Sequence, residues 1–124
     1  MLFNAQDRKA PDLSILGVVS ASGGPWTKIT SEKIWADKAR WSADGRTIYF
    51  MSNRGGAFFD VWALRFDPAT GRTVGEEFRV TRYDDPGRLL NVLSAAELGV
   101  SASRIVAPLV ETTGSVWLLK RGGR

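Results

Sequence analysis

Residues 47–52, TIYFMS, follow the turn-forming run SADGR and alternate as a β-strand does, yet neither side of the alternation is polar. Ile48 and Phe50 form one face; Thr47, Tyr49 and Met51, nearly as apolar, form the other. The next run, FDVWALRF at residues 59–66, is also apolar on both faces. Strands of this kind need cover above and below, which excludes a lone sheet with one wet side. In EEFRVT, at 76–81, only Phe78 and Val80 alternate with Glu77, Arg79 and Thr81, as an outer edge requires.

Turn signals break the chain at short intervals, and the runs between them are rich in β-branched and aromatic residues with almost no helical period. The fold class expected is all-β. Strands are expected at about 2–5, 14–19, 26–30, 38–42, 47–52, 59–66, 77–81, 98–101, 104–110 and 116–120, with one helical turn around 94–98. SADGR places Asp44 and Gly45 where a short hairpin needs positive φ, and DPATG, residues 67–71, pairs a proline-set φ with a glycine. Self-comparison adds a degenerate repeat. Phe3 matches Phe50 and Ile15 matches Trp62 at a spacing of 47, and ITSEK matches VTRYD at 51, with the extra residues in a longer DPATGRTVGEE hairpin. DVWALR from Asp60 aligns with SVWLLK from Ser115 at 55, and RTIYF from Arg46 aligns loosely with RIVAP from Arg104. Trp62 and Trp117 are therefore expected in equivalent core positions. Strands that are doubly apolar in the middle of each unit and edge-like at its rim describe four-stranded antiparallel blades of a β-propeller.

Composition narrows the chemistry. The 124 residues are 44% hydrophobic, enough for a modest core, and contain neither cysteine nor histidine, which removes disulfides, thiol nucleophiles, the usual zinc sites and histidine-based triads. No catalytic residue, cofactor or metal is assigned. The net charge of +4 comes from 17 basic residues spread among 13 acidic ones, with no basic stripe to track a phosphate backbone, so no nucleic-acid partner is expected. The apolar runs are too short for a membrane helix, the N-terminus has no signal-peptide profile, and compartment stays open, periplasmic or cytoplasmic.

At residues 41–55 the sequence resembles the WD40-like repeat of TolB-type β-propellers, whose hallmark is a W/F-S-P-D-G-x-x-I-x-F segment followed by S-x-R-x-G. Here it stands as Trp41-Ser42-Ala43-Asp44-Gly45-Arg46-Thr47-Ile48-Tyr49-Phe50 and then Ser52-Asn53-Arg54-Gly55, with alanine in place of the usual proline. GPWTKIT, FDVWALRFDPATG, FRVT and ETTGSVWLLK look like the C-terminal blades of large bacterial proteins. The resemblance implies fold more than function. It suggests a non-catalytic module of a bacterial envelope or signalling protein that binds a protein or small ligand; an accessory propeller gating a serine peptidase is the alternative, and an inert remnant a third.

With the four strands of one full repeat named A to D (KARWS, TIYFMS, FDVWALRF and EEFRVT), the division expected is strands B, C and D of a partial blade at 1–30, a complete blade at 31–81, a last blade without its outer strand at 82–121 and a tail at 122–124. This amounts to about two and a half blades of an incomplete propeller. Each open flank of a blade would expose on the order of 400 Å² of apolar surface, worth up to ~10 kcal/mol, comparable with the stability of a small domain. The chain is therefore expected either to continue into the remaining blades of a longer parent or to self-associate into a ring. Antiparallel order puts the D-to-A and B-to-C connections at one mouth, where Trp35, Asp37, Lys38, Asn53, Arg54, Tyr83, Asp84 and Asp85 are the candidate ligand- or partner-binding residues. Trp35 is either a contact anchor or a plug between blades. Asp84 and Asp85 are either a carboxylate pair or a turn before Pro86, and Arg54 either binds or braces its own loop.

Overall fold

The computed structural model describes residues 1–7, 9–30, 34–54, 56–90 and 97–120. Among them the regular elements are all strands, arranged in antiparallel sheets. The doubly apolar run at 47–52 is β5 (Thr47–Ser52) of a four-stranded meander whose spatial order is β4 (Ala36–Trp41), β5, β6 (Asp60–Asp67) and β7 (Arg72–Arg79). A three-stranded sheet of β1 (Leu2–Asp7), β2 (Ala10–Val18) and β3 (Thr27–Lys28) precedes it. Two short ladders follow: β8 (Arg88–Leu90) with β11 (Leu109–Glu111), and β9 (Gly99–Val100) with β10 (Ile105–Val106). The protein is all-β, an incomplete propeller of about two and a half blades that do not close into a ring.

The period of two explains the sandwich. Ile48, Phe50 and Leu64 enter a buried layer with Leu16, Val18 and Ile29 of the first unit, and Trp41, Trp62 and Phe66 pack at its margin. Met51 and Val61 point the other way, into a layer with Leu90 and Leu98 of the last unit, flanked by Tyr49, Phe59 and Tyr83. Both faces of β5 and β6 are thus covered, and Phe50 is fully buried. The outer strand β7 leaves Val74 and Phe78 about half exposed, as an edge does.

The ladders correct the repeat. Phe50 pairs with Trp62 while Phe3 pairs with Gly17, so the residue equivalent to Trp62 in the first unit is Gly17, two positions beyond Ile15. Similarity had favoured the bulky Ile15, but backbone pairing sets the register. The missing side chain is replaced from elsewhere: Phe3 and Trp26 meet edge to face at 5.5 Å, and a Cβ on Gly17 would stand 2.7 Å from Phe3 Cζ and 2.9 Å from Trp26 Cε3. The 51-residue spacing persists in hydrogen bonds. Thr30 Oγ1 accepts from Leu16 N at 2.8 Å, and Thr81 Oγ1 accepts from Val61 N at 2.9 Å.

Other expectations shift. β7 starts at Arg72, five residues earlier than expected, because Asp67 pairs with Arg72 directly across the DPATG turn. RTVGEE is therefore strand rather than hairpin loop, with Gly75 at φ 72° where the register shifts. In SADGR only Gly45 takes positive φ; Asp44 instead accepts hydrogen bonds from Ser42 Oγ at 2.6 Å and Arg46 N at 3.0 Å. The helical turn expected at 94–98 lies mostly outside the described residues.

The last unit departs most. Val106 pairs with Gly99 and Leu109 with Leu90, so β10 and β11 together play the part of β5, while β8 and β9 share the part of β4. Sequence reading missed β8. The strand expected at 104–110 is split at Ala107 and Pro108, where proline cannot donate to a ladder. The strand expected at 116–120 is not formed, and Trp117 is exposed rather than core. With strand B interrupted, the edge that would receive it offers a broken row of donors.

Candidate functional site

The turns at 42–46 and 67–71 lie at one mouth and the connections at 53–59 and 80–87 at the other, as the antiparallel order requires. The eight candidate residues do not converge on one site. Trp35 and Tyr83 join the apolar layer between the middle and last units; Trp35 also bridges to Ser14, and its indole Nε1 is buried without a hydrogen-bond partner among the described residues. Trp35 is in the position of a plug.

A second group braces the outer strands. Asp60, a buried carboxylate, accepts from Arg79 Nε at 2.8 Å, from Thr81 Oγ1 at 2.9 Å and from the Tyr83 amide at 2.9 Å. Arg79 Nη2 also reaches Asp84 Oδ1 at 2.6 Å. The bond to Asp84, followed by that to Asp60, raises the guanidinium's pKa above its ordinary value. Arg54 pairs with Glu77 and lies 5.7 Å over the Trp62 ring, bracing the sheet. Asn53 O and Asp85 Oδ1 accept from Gly56 N and Gly87 N in their own turns, at 3.0 and 2.8 Å. Sequence reading missed Asp60 and Arg79; the available signal was an acid opening a doubly apolar strand where SVWLLK has Ser115.

The third group lies on the inner edge of the stack. Asp37 Oδ1 accepts from the Lys38 amide at 2.7 Å and from Asn4 Nδ2 at 3.1 Å, and Asn4 Nδ2 also reaches Ala36 O at 2.9 Å, so β1 is tied to β4. Lys38 sits at φ 55°, a left-handed conformation unusual for a residue other than glycine, inside the β4 register shift. Glu97 approaches Lys38 Nζ at 3.7 Å and accepts from Arg40 Nη2 at 2.8 Å. These side chains, with Leu2, Phe3, Leu16 and Ala39, line a groove of about 250 Å³ along β1. A cleft of about 540 Å³ at the turn mouth, lined by Ser42, Asp44, Tyr49, Ser101 and Arg104 among others, was not anticipated.

Among the described residues no group of three or more carboxylates gathers as a metal site, and no helix is long and apolar enough to cross a membrane. No family model, curated protein or solved structure matches the chain.

Proposed function

We propose that this chain is a non-catalytic interaction module, a segment of a TolB-type WD40-like β-propeller, which binds polypeptide through the groove between β1 and the Asp37-to-Arg40 stretch of β4. The all-β stack of blades and the WSADGRTIYF segment support the propeller part of this reading. The observation that carries the binding part is Lys38. A lysine held left-handed in a strand irregularity is strained by about 1 kcal/mol or more, and such strain concentrates at ligand clamps and switch regions.

The groove's volume of about 250 Å³ is small for a drug-sized ligand, whose pockets span roughly 300–1,000 Å³. A short stretch of polypeptide suits it better, with side chains seated in the groove and the charges of Lys38 and Arg40 at its rim giving selectivity. The test is capture by the immobilised chain, compared with a Lys38→Ala, Arg40→Ala variant. The reading expects loss of the captured polypeptide; recovery equal to wild type counts against it. Trp35→Ala is unsuited to this purpose, because Trp35 packs in the second apolar layer and its loss perturbs the fold.

A further inference from the structure

We propose that the cleft between the turns at 42–46 and 101–104 binds a zwitterionic peptide of two or three residues, its carboxylate at Arg104 and its ammonium at Asp44. This is a second site, beyond the polypeptide groove along β1. Among the described residues the two share no lining side chain.

The cleft follows from two hairpins built alike but of unequal length. In the middle unit Ser42 N donates to Thr47 O at 2.8 Å and closes a loop of four residues; in the last unit Ser101 N donates to Arg104 O at 2.8 Å and closes a loop of two. The serine hydroxyl plays the same part in each. Ser42 Oγ accepts from Thr47 N at 2.9 Å, and Ser101 Oγ accepts from Arg104 N at 3.0 Å. The shorter turn leaves space beside the longer one, and the cleft of about 540 Å³ opens there, with Tyr49, Val100 and Ile105 among its walls. Its volume falls within the roughly 300–1,000 Å³ of ligand pockets.

Each turn brings one charge to the cleft. Asp44 is exposed, and hydrogen bonds from Ser42 and then the Arg46 amide lower its pKa from the ordinary 3.8. Both bonds end on Oδ1, which leaves Oδ2 available. Arg104, also exposed, uses its backbone to close the turn, while its guanidinium makes no hydrogen bond or ion pair among the described residues. Five N–H donors are therefore free. In the groove along β1 the opposite charges meet, Arg40 bonding Glu97 at 2.8 Å; here they line one cleft without meeting.

A ligand that carries both charges satisfies both groups. A carboxylate accepts two parallel bonds from a guanidinium, and an ammonium donates to a carboxylate oxygen. The hydroxyls of Thr47, Tyr49 and Ser103, which also line the cleft and make no hydrogen bond among the described residues, suit the peptide groups between the two ends. An equant space of this volume measures on the order of 8 Å across, the span of two or three extended residues at ~3.3–3.6 Å each.

Trialanine, its N-acetyl derivative and its C-terminal amide are titrated into the ¹⁵N-labelled chain, and amide shifts are followed. The proposal expects saturable shifts at Asp44, Ser103 and Arg104 with trialanine, and binding at least ~10-fold weaker when either end is blocked. Arg104→Ala should weaken trialanine by the same factor and make amidation of the peptide immaterial; Asp44→Asn should do so for acetylation. Both side chains are exposed, so each variant should keep the wild-type circular dichroism spectrum. The proposal is overturned by an absence of saturable shifts at the solubility limit of the peptide, by shifts confined to residues outside the two turns, or by blocked peptides or variants that bind as trialanine binds wild type.

Discussion

The middle and last units carry related strands, yet among the described residues one is a four-stranded sheet and the other is two short ladders and an arm outside any ladder. In the middle unit β5 and β6 lie between two apolar layers, and a buried carboxylate ties strand C to the connection beyond β7. In the last unit strand B is interrupted at Pro108, and the C-like segment stands exposed. The difference teaches that an apolar pattern gives a strand its potential, while an unbroken partner and cover on both faces make it form.

The strongest way to break this comparison is to treat equivalent aromatic positions alike. Phe50→Ala should cost about 3–5 kcal/mol in urea unfolding, because Phe50 is fully buried, whereas Trp117→Ala should change stability by less than about 0.5 kcal/mol in dilute solution. Similar losses at both sites would mean that the arm is packed. Next in size is Asp60→Ala, expected to cost about 3 kcal/mol by stranding Arg79, Thr81 and the Tyr83 amide. Thermal melts check it; a shift of under a degree would show that the brace is dispensable.

Gly17 sharpens the comparison between the first and middle units. A valine there collides with the Phe3–Trp26 pair, so Gly17→Val should cost about 1–3 kcal/mol even though the equivalent position in the middle unit holds tryptophan. Urea unfolding reports this directly.

The smallest effect concerns the turn mouth. Hydrogen bonds from Ser42 and the Arg46 amide lower the Asp44 pKa from its ordinary 3.8, and those from Thr70 and the Ala69 amide lower that of Asp67. A depressed carboxylate stabilises the fold above its unfolded pKa and loses that contribution as pH falls through the folded value. Stability should therefore decline below about pH 3.8 less steeply in Asp44→Asn, Asp67→Asn than in wild type, by acid titration of circular dichroism.

Much of the fold was legible because it rests on period and punctuation. The two-faced alternation of TIYFMS and FDVWALRF announced cover on both sides, and SADGR and DPATG marked the hairpins. The register of the first unit was not legible, since Gly17 carries no side chain and its aromatic filler, Trp26, comes from beyond the strand. Nor was the fate of SVWLLK, which matches β6 in sequence but lacks an intact neighbour. At the candidate site the partners of the chosen residues were not legible. Arg54, Asp84 and Asp85 look free in a loop, but Glu77, Arg79 and Gly87 meet them only once the strands have paired.

Amide hydrogen exchange at high dilution tests the central contrast most directly. The amides of residues 48–51 and 61–64 should exchange only through global unfolding, while those of 113–120 should exchange at nearly the rate of an unstructured peptide. Equal protection of both segments in the dilute monomer would contradict the account, for it would mean that the last blade completes itself without any help from a partner.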